Sequence, residues 1–362
     1  MEPSQFLALA QKWFAATQLN RVELLNGSQN GLTYLFQRFL AENQSVTGRW
    51  ETLLATYTRV MAFVVAMDSS LPKVKRDSTS NASGDIPKFG IEMSLNERQL
   101  TQIGILQRAP GDNTKAIIKK IFNDAERTVD AAYELMEALF LEGFSTGKVI
   151  VDDIDNVGTG FQVDFGYLSA NKFGVGILWS SASTAKPMDD LDRMVAKAKT
   201  DGKVIQTIFM DSTTFGNMIA TTQFRDYYAF KVGYTGTLRT NLDKENANAL
   251  LLGRYGFTVE LIDRAVRRER NGVQTIVKPY QQGMVMAICT EELGAIEYTF
   301  LAEEDSPVSG VVYSKPVPWA LGSMFRQNRP SIAEFTTIQG RALPVIGAAD
   351  EIYSIDTTTV QS

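Results

Sequence analysis

At 362 residues, with 44% hydrophobic and 21% charged side chains, the chain is long enough for two compact regions with their own cores and too apolar for disorder to be expected. Its 36 basic and 41 acidic residues leave a formal charge of −5, the wrong sign for a protein built mainly to neutralise nucleic-acid phosphates. Histidine is absent, which removes the commonest general base, the usual zinc ligand and every Ser-His or Cys-His pair, and the single cysteine, Cys289, excludes an intrachain disulfide and fits a reducing compartment.

The opening Met1-Glu2-Pro3-Ser4 lacks the basic-then-apolar order of a secretory signal, and the apolar run over 60–67 is too short to cross a bilayer, so a soluble protein made in the cytoplasm is expected. Two short amphipathic helices are predicted over 4–19 and 32–41, separated by the breaker-rich 26–31. Their aromatic residues include Trp13, Phe14, Tyr34 and Phe36. Helices this short need a surface to lie on, either their own domain or a neighbouring molecule.

From 68 to 96 the composition turns polar, with Pro72 and Pro87 bracketing a Ser/Asn-rich tip at 78–84 and flanks at 73–76 and 89–93. This pattern predicts two extended arms joined by an end that cannot bury itself and therefore projects. A long helix follows over 112–143. Ile118, Phe122, Ala125, Val129, Ala132, Met136 and Leu139 are spaced four and three apart in alternation, which draws one apolar stripe along a rod about 45 Å long. Asp112 and Asn113 are its cap candidates and Gly143 its expected stop.

Strands are predicted over 161–166, 203–210, 283–289, 297–300, 334–339 and 351–355, with helices over 188–199 and 212–220. A further pair, 258–262 and 275–278, flanks Arg270-Asn271-Gly272, where Asn-Gly marks a turn between strands. One long helix, a projecting loop and mixed strands make this an α+β protein.

No catalytic constellation emerges. Gly143-Phe144-Ser145-Thr146-Gly147-Lys148-Val149 has too few residues between its glycines for a phosphate loop, and carries Val149 where Ser or Thr should hold magnesium. Asp152, Asp153 and Asp155 lack the glycine and terminal Glu of a calcium loop and read as a solvated turn. Glu291-Glu292 and Glu303-Glu304-Asp305 point alternately to opposite faces if extended, so neither group converges on a substrate. The basic run Arg264, Arg267, Arg268 and Arg270 is interleaved with Asp263 and Glu269, which favours salt bridges between subunits over phosphate binding.

Several segments, taken in order, resemble the major capsid proteins of tailed bacteriophages, specifically the lambda-type head protein (capsid protein E) family. They are Phe161-Gln162-Val163-Asp164-Phe165-Gly166; Trp179 with Pro187-Met188-Asp189-Asp190-Leu191; Arg270-Asn271-Gly272-Val273 with Pro279 and Met284-Val285-Met286; and Glu334-Phe335-Thr336-Thr337-Ile338-Gln339 with Leu343-Pro344-Val345-Ile346. The resemblance runs from about Gly31 to the C-terminus, and the first thirty residues match nothing specific. It implies the HK97-type capsid fold. On this sequence that places an N-terminal arm at 1–50, a lead-in to the P-domain at 51–66 and an extended E-loop hairpin at 67–96. The P-domain would cover 97–186 with a spine helix at 112–142, the A-domain 187–290, a P-domain return 291–346, and a C-terminal segment near the A-domain 347–362.

The resemblance further implies a non-enzymatic structural protein of the virion, without cofactor, metal or membrane, assembled in the host cytoplasm. It would form hexamers and pentamers of an icosahedral head around double-stranded DNA held by weak, non-specific contact. A separate scaffolding protein, a portal protein and a candidate decoration protein would be its partners. Lys73, Lys75, Arg76 and Asp77 are expected to make E-loop contacts across subunits, and Trp13, Phe14, Tyr34 and Phe36 to dock the arm. The lysine–asparagine crosslink known in one branch of the wider fold is not carried over, because no local motif matches it. The rival readings are an encapsulin-like compartment shell, a tail-tube protein, and a carboxylate-dependent hydrolase using Glu291, Glu292 or Asp153.

Overall fold

The computed structural model describes residues 2–28, 31–55, 79–109, 114–151, 160–233, 242–270, 273–328 and 331–361. The chain divides into two compact units, one of Met1–Trp50, Ser83–Phe140 and Gly294–Val345, the other of Glu51–Ala82, Leu141–Leu293 and Ile346–Ser362.

The first unit opens with α1 (Leu7–Leu25), which continues past the expected stop at residue 19 because nothing breaks it before Gly27, at φ 89°. Its inner face is Ala10, Phe14, Gln18, Val22 and Leu25. The second expected helix is a single turn, α2 (Phe36–Phe39), and the chain then extends into β1 (Leu40–Gln44). The polar run expected to be a loop tip is itself a strand: β2 (Arg49–Ala55) and β3 (Thr79–Asp85) pair in a two-stranded sheet. The expected second arm is β4 (Lys88–Leu95), a strand of the unit's main sheet. Phe89, Ile91, Met93 and Leu95 alternate along it, with Leu95 buried, Phe89 and Met93 half-buried and Ile91 exposed.

Next comes α3 (Glu97–Arg108), which the sequence reading missed. Its start is a capping box: Asn96 Oδ1 accepts from Gln99 N at 3.0 Å, and Gln99 Oε1 accepts from Asn96 N at 2.9 Å. The long helix α4 (Thr114–Thr146) has 33 residues and is therefore about 50 Å in length. The cap candidates Asp112 and Asn113 lie outside the described residues. Gly143 is not its stop. The helix runs on to Thr146 and ends at Gly147, whose φ of 76° suits glycine. Gly143 is needed for room instead, since a Cβ there would lie 2.5 Å from Phe165 Cε2.

The second unit contains β5 (Lys148–Val151) antiparallel to β6 (Phe161–Asp164), then β7 (Lys172–Val175), α5 (Pro187–Thr200), β8 (Thr207–Met210), α6 (Ser212–Ala220), α7 (Thr222–Lys231), α8 (Lys244–Tyr255) and β9 (Thr258–Leu261). It continues with β10 (Val266–Arg270), β11 (Val273–Val277) and β12 (Met284–Ile288). The expected pairing of 258–262 with 275–278 does not form: β9 lies parallel to β8, and β11 pairs with β10. A strand at Val266–Arg270 was hidden by its charge, which mimics a solvated turn.

The chain returns to the first unit with β13 (Gly294–Thr299), the single turn α9 (Ala302–Asp305), β14 (Val312–Val317), β15 (Ala320–Gln327) and β16 (Ala333–Ile346), and ends on β17 (Ile352–Val360) in the second. The main sheet of the first unit has the order β1-β13-β16-β15-β14, with β4 also on β16. Leu95 and Met324 on its inner face pack with Phe14 of α1, Ile103 of α3 and Ile121, Phe122 and Ala125 of α4. The second unit's sheet has the order β7-β17-β12-β8-β9, around a core that includes Trp179, Met188, Leu191, Met210, Phe224, Val285 and Tyr353. Residues 141–186, placed with the P-domain in the sequence reading, cluster with this second unit, as β17 holds β7 in its sheet.

Candidate assembly surfaces

Asp130, Glu134 and Glu137 on α4 are four and three residues apart, so they form an acidic line on one helical face. Arg21 of α1 meets the first through two bonds, Nε to Oδ1 at 2.6 Å and Nη2 to Oδ2 at 2.9 Å. The hydroxyl of Tyr34 donates to Glu134 at 3.1 Å, and the buried Glu137 carboxylate accepts from the Leu35 and Phe36 backbone N–H groups at 3.1 and 3.0 Å. Around them Tyr34, Phe36 and Tyr133 cluster with ring centroids 5.5 to 5.9 Å apart. The N-terminal segment is thereby fastened to its own unit. The acidic spacing on the helix was the signal available for this, and the sequence reading did not use it.

Three of the four residues expected to dock the arm on a neighbour lie inside the first unit. Phe14, Tyr34 and Phe36 have their rings buried within the first unit and present little surface to a neighbour. Trp13, one position along α1 and on its outer side, is 38% exposed. The four E-loop candidates, Lys73, Lys75, Arg76 and Asp77, lie outside the described residues, between β2 and β3.

The second unit is held by buried polar ties. Asp190 accepts from Trp179 Nε1 at 2.9 Å and from Arg193 Nη2 at 2.7 Å, which ties together two of the segments that carry the family resemblance. Asp211 caps α6, accepting from the Thr213 and Thr214 N–H groups at 3.0 and 3.1 Å, from the Thr214 hydroxyl, and from Gly283 N at 3.1 Å. Burial alone would raise its pKa, but these donors outweigh burial and hold it below the usual carboxylate value. Lys203 spans Asp350 at 2.7 Å and Glu351 at 3.1 Å; burial acts to lower its pKa and the two carboxylates outweigh it. Burial, with Glu351 nearby, pushes the Cys289 thiol up to about 12, so it is held as a thiol and packs as a small hydrophobe.

The weighed chemical motifs resolve into structure. Ser145, in the pseudo-phosphate loop, sits in the last turn of α4, bonding Leu141 O at 2.9 Å and accepting from Gln281 N at 3.0 Å. Glu304 pairs with Lys315 at 2.5 Å and caps α9 through Leu301 N. Asp152, Asp153 and Asp155 lie outside the described residues. Among the described residues no group of three or more His, Cys, Asp or Glu side chains is placed to hold a metal ion, and no helix is long and apolar enough to cross a membrane.

What the second unit does present is the ribbon β10–β11. Arg267 and Arg268 are exposed, as are Val273 and Ile276 on the facing strand. The basic run was legible in the sequence; the two apolar residues opposite it were not, because their exposure depends on the ribbon standing as a two-stranded sheet.

The sequence matches the family described as phage major capsid protein E over residues 24–321. No curated protein matches it. Among solved structures, a protein assigned as the capsid protein of a prophage of Escherichia coli CFT073 superposes with a TM-score of 0.58 at 13% identity, covering 94% of this chain and 97% of that one. A phage-related protein from Bordetella bronchiseptica RB50 gives 0.49 at 10% identity over 96% and 98% of the two chains. A chain of the satellite phage P4 procapsid gives 0.47 at 9% identity over 99% and 92%. The first of these likenesses carries the fold, the mixed α+β architecture of HK97-type capsid proteins. With the family matched over 24–321 and the fold shared along nearly the whole chain, the protein belongs to the phage major capsid protein E family and is a structural capsid protein, not an enzyme.

Proposed function

We propose that the protein is the repeating wall subunit of an icosahedral phage head, arranged as hexamers and pentamers that enclose double-stranded DNA. The observation that carries this reading is the family match over 24–321. The acidic net charge of −5 supports a wall that confines DNA through weak, non-specific contact. Many modest contacts between copies sum through multivalency into a closed particle.

In this reading the segment between β2 and β3, with Lys73, Lys75, Arg76 and Asp77, reaches a neighbouring subunit, and Trp13 supplies the exposed aromatic contact of the N-terminal segment. A separate scaffolding protein guides closure, a portal protein occupies one vertex, and a decoration protein is a further candidate partner. Assembly takes place in the host cytoplasm and the product is the virion shell. Native mass spectrometry of the chain assembled with its scaffolding protein tests this: pentamer and hexamer masses are expected, and a chain that remains monomeric at every concentration and with its scaffold refutes it.

A further inference from the structure

The ribbon β10–β11 pairs Val266 with Val277, Arg268 with Thr275 and Arg270 with Val273 in one set of rungs, and Arg267 with Ile276 and Glu269 with Gln274 in the other. Because side chains alternate, each face of the ribbon combines an arginine position with an apolar one. Among the described residues no third strand joins it. Val273 is 65% exposed and Ile276 69%, and the ribbon's one acid, Glu269, accepts from Gln274 at 2.8 Å. A two-stranded ribbon without a core beneath it is marginal in water, so these exposed apolar side chains are stabilised when something covers them.

We propose that β10–β11 is a clasp for a second copy of this chain, its two faces meeting surface carboxylates of that copy through Arg267 beside Ile276 on one side and Arg268 beside Val273 on the other. The choice of occupant follows from charge. Arg267 and Arg268 against Glu269 make the ribbon locally positive, while the chain as a whole is at −5, so another copy offers the complementary surface. Duplex DNA on either face would meet an exposed aliphatic residue, Ile276 together with Glu269 on one and Val273 on the other. The ribbon is about 17 Å long, too small to bury the roughly 1,200 Å² of an independently stable interface. It therefore acts together with other contacts and weakens as salt rises. This inference rests on the assembly reading above.

The test compares full-length wild type with R267E/R268E and with V273S/I276S, each assembled with the scaffolding protein at physiological and high salt. In parallel, R268K is assembled from an equal mixture of isotope-labelled and unlabelled chains and treated with a carbodiimide, which joins amines to carboxylates at contact distance. Both double variants are expected to keep the wild-type circular dichroism and unfolding midpoint, since the altered side chains are exposed, yet to yield shells reduced by roughly tenfold or more. The R268K shells are expected to give crosslinks joining one labelled and one unlabelled chain. Wild-type shell yield from both variants, or crosslinks within single chains only, overturns the clasp while leaving the assembly reading intact. Normal shell yield with reduced DNA content also overturns it, and makes DNA the ribbon's partner. If wild type itself forms no shells, the assembly reading falls and the clasp falls with it.

Discussion

Arg21 on α1 and Asp130 on α4 lie side by side with two parallel bonds of 2.6 and 2.9 Å, and this fork holds the first helix to the longest one. Both side chains are about a third exposed, so solvent screens part of the attraction. A double-mutant cycle between R21A and D130A is expected to give a coupling of about 1 kcal/mol in denaturant unfolding. R21K, which keeps the charge but not the planar fork, is expected to recover only part of it.

Gly143 sets helix propensity against packing. Alanine is favoured over glycine inside a helix by about 1 kcal/mol, but its Cβ would stand 2.5 Å from Phe165 Cε2 and 3.1 Å from Val149 Cγ2. Overpacking of this kind costs about 1–3 kcal/mol, so G143A is expected to lower stability on balance. Thermal unfolding of the variant checks it, and a raised midpoint contradicts the close approach.

Gln18 is fully buried against β15, where a Cβ on Gly322 would meet its Oε1 at 2.5 Å, and neither amide atom has a hydrogen-bond partner among the described residues. Replacing the amide by an apolar side chain of similar length removes that desolvation penalty. Q18M is therefore expected to stabilise the protein by about 1–2 kcal/mol, read as a higher denaturant midpoint at unchanged slope.

The outer course of the fold was legible where apolar residues keep one period. In α4, Phe122, Ala125, Val129, Ala132, Met136 and Leu139 are buried as the spacing required, and α6 begins and ends where the sequence placed it. Reading failed where an element is polar for a reason supplied by its partner. Among the described residues, Thr79–Asp85 and Val266–Arg270 each pair with one other strand, in two-stranded sheets that impose no apolar alternation on them. The helix at Glu97–Arg108 was missed although Asn96 and Gln99 carry its capping signal. For the site, residue type singles out the aromatic side chains of the arm but not which way each one faces. Phe14 and Phe36 face inward while Trp13, next in sequence to Phe14, remains exposed.

Asp211 makes the second unit sensitive to acid. Its pKa is lower in the folded chain than in the unfolded one, so its contribution is complete above the unfolded value, near 4, and is lost as pH falls through the folded value. D211N, which cannot carry the charge that four donors address, is expected to unfold more easily by about 2 kcal/mol at neutral pH. The gap between variant and wild type should narrow as the pH is taken below the unfolded carboxylate value and through the lower folded one. Urea midpoints across that range measure it.

The most direct measurement is electron cryomicroscopy of the particles formed when the full chain is produced together with its scaffolding protein. Closed icosahedral shells, with this chain repeated in five- and six-fold clusters, are the predicted result. Open tubes, or dispersed single copies under the same conditions, would contradict the account.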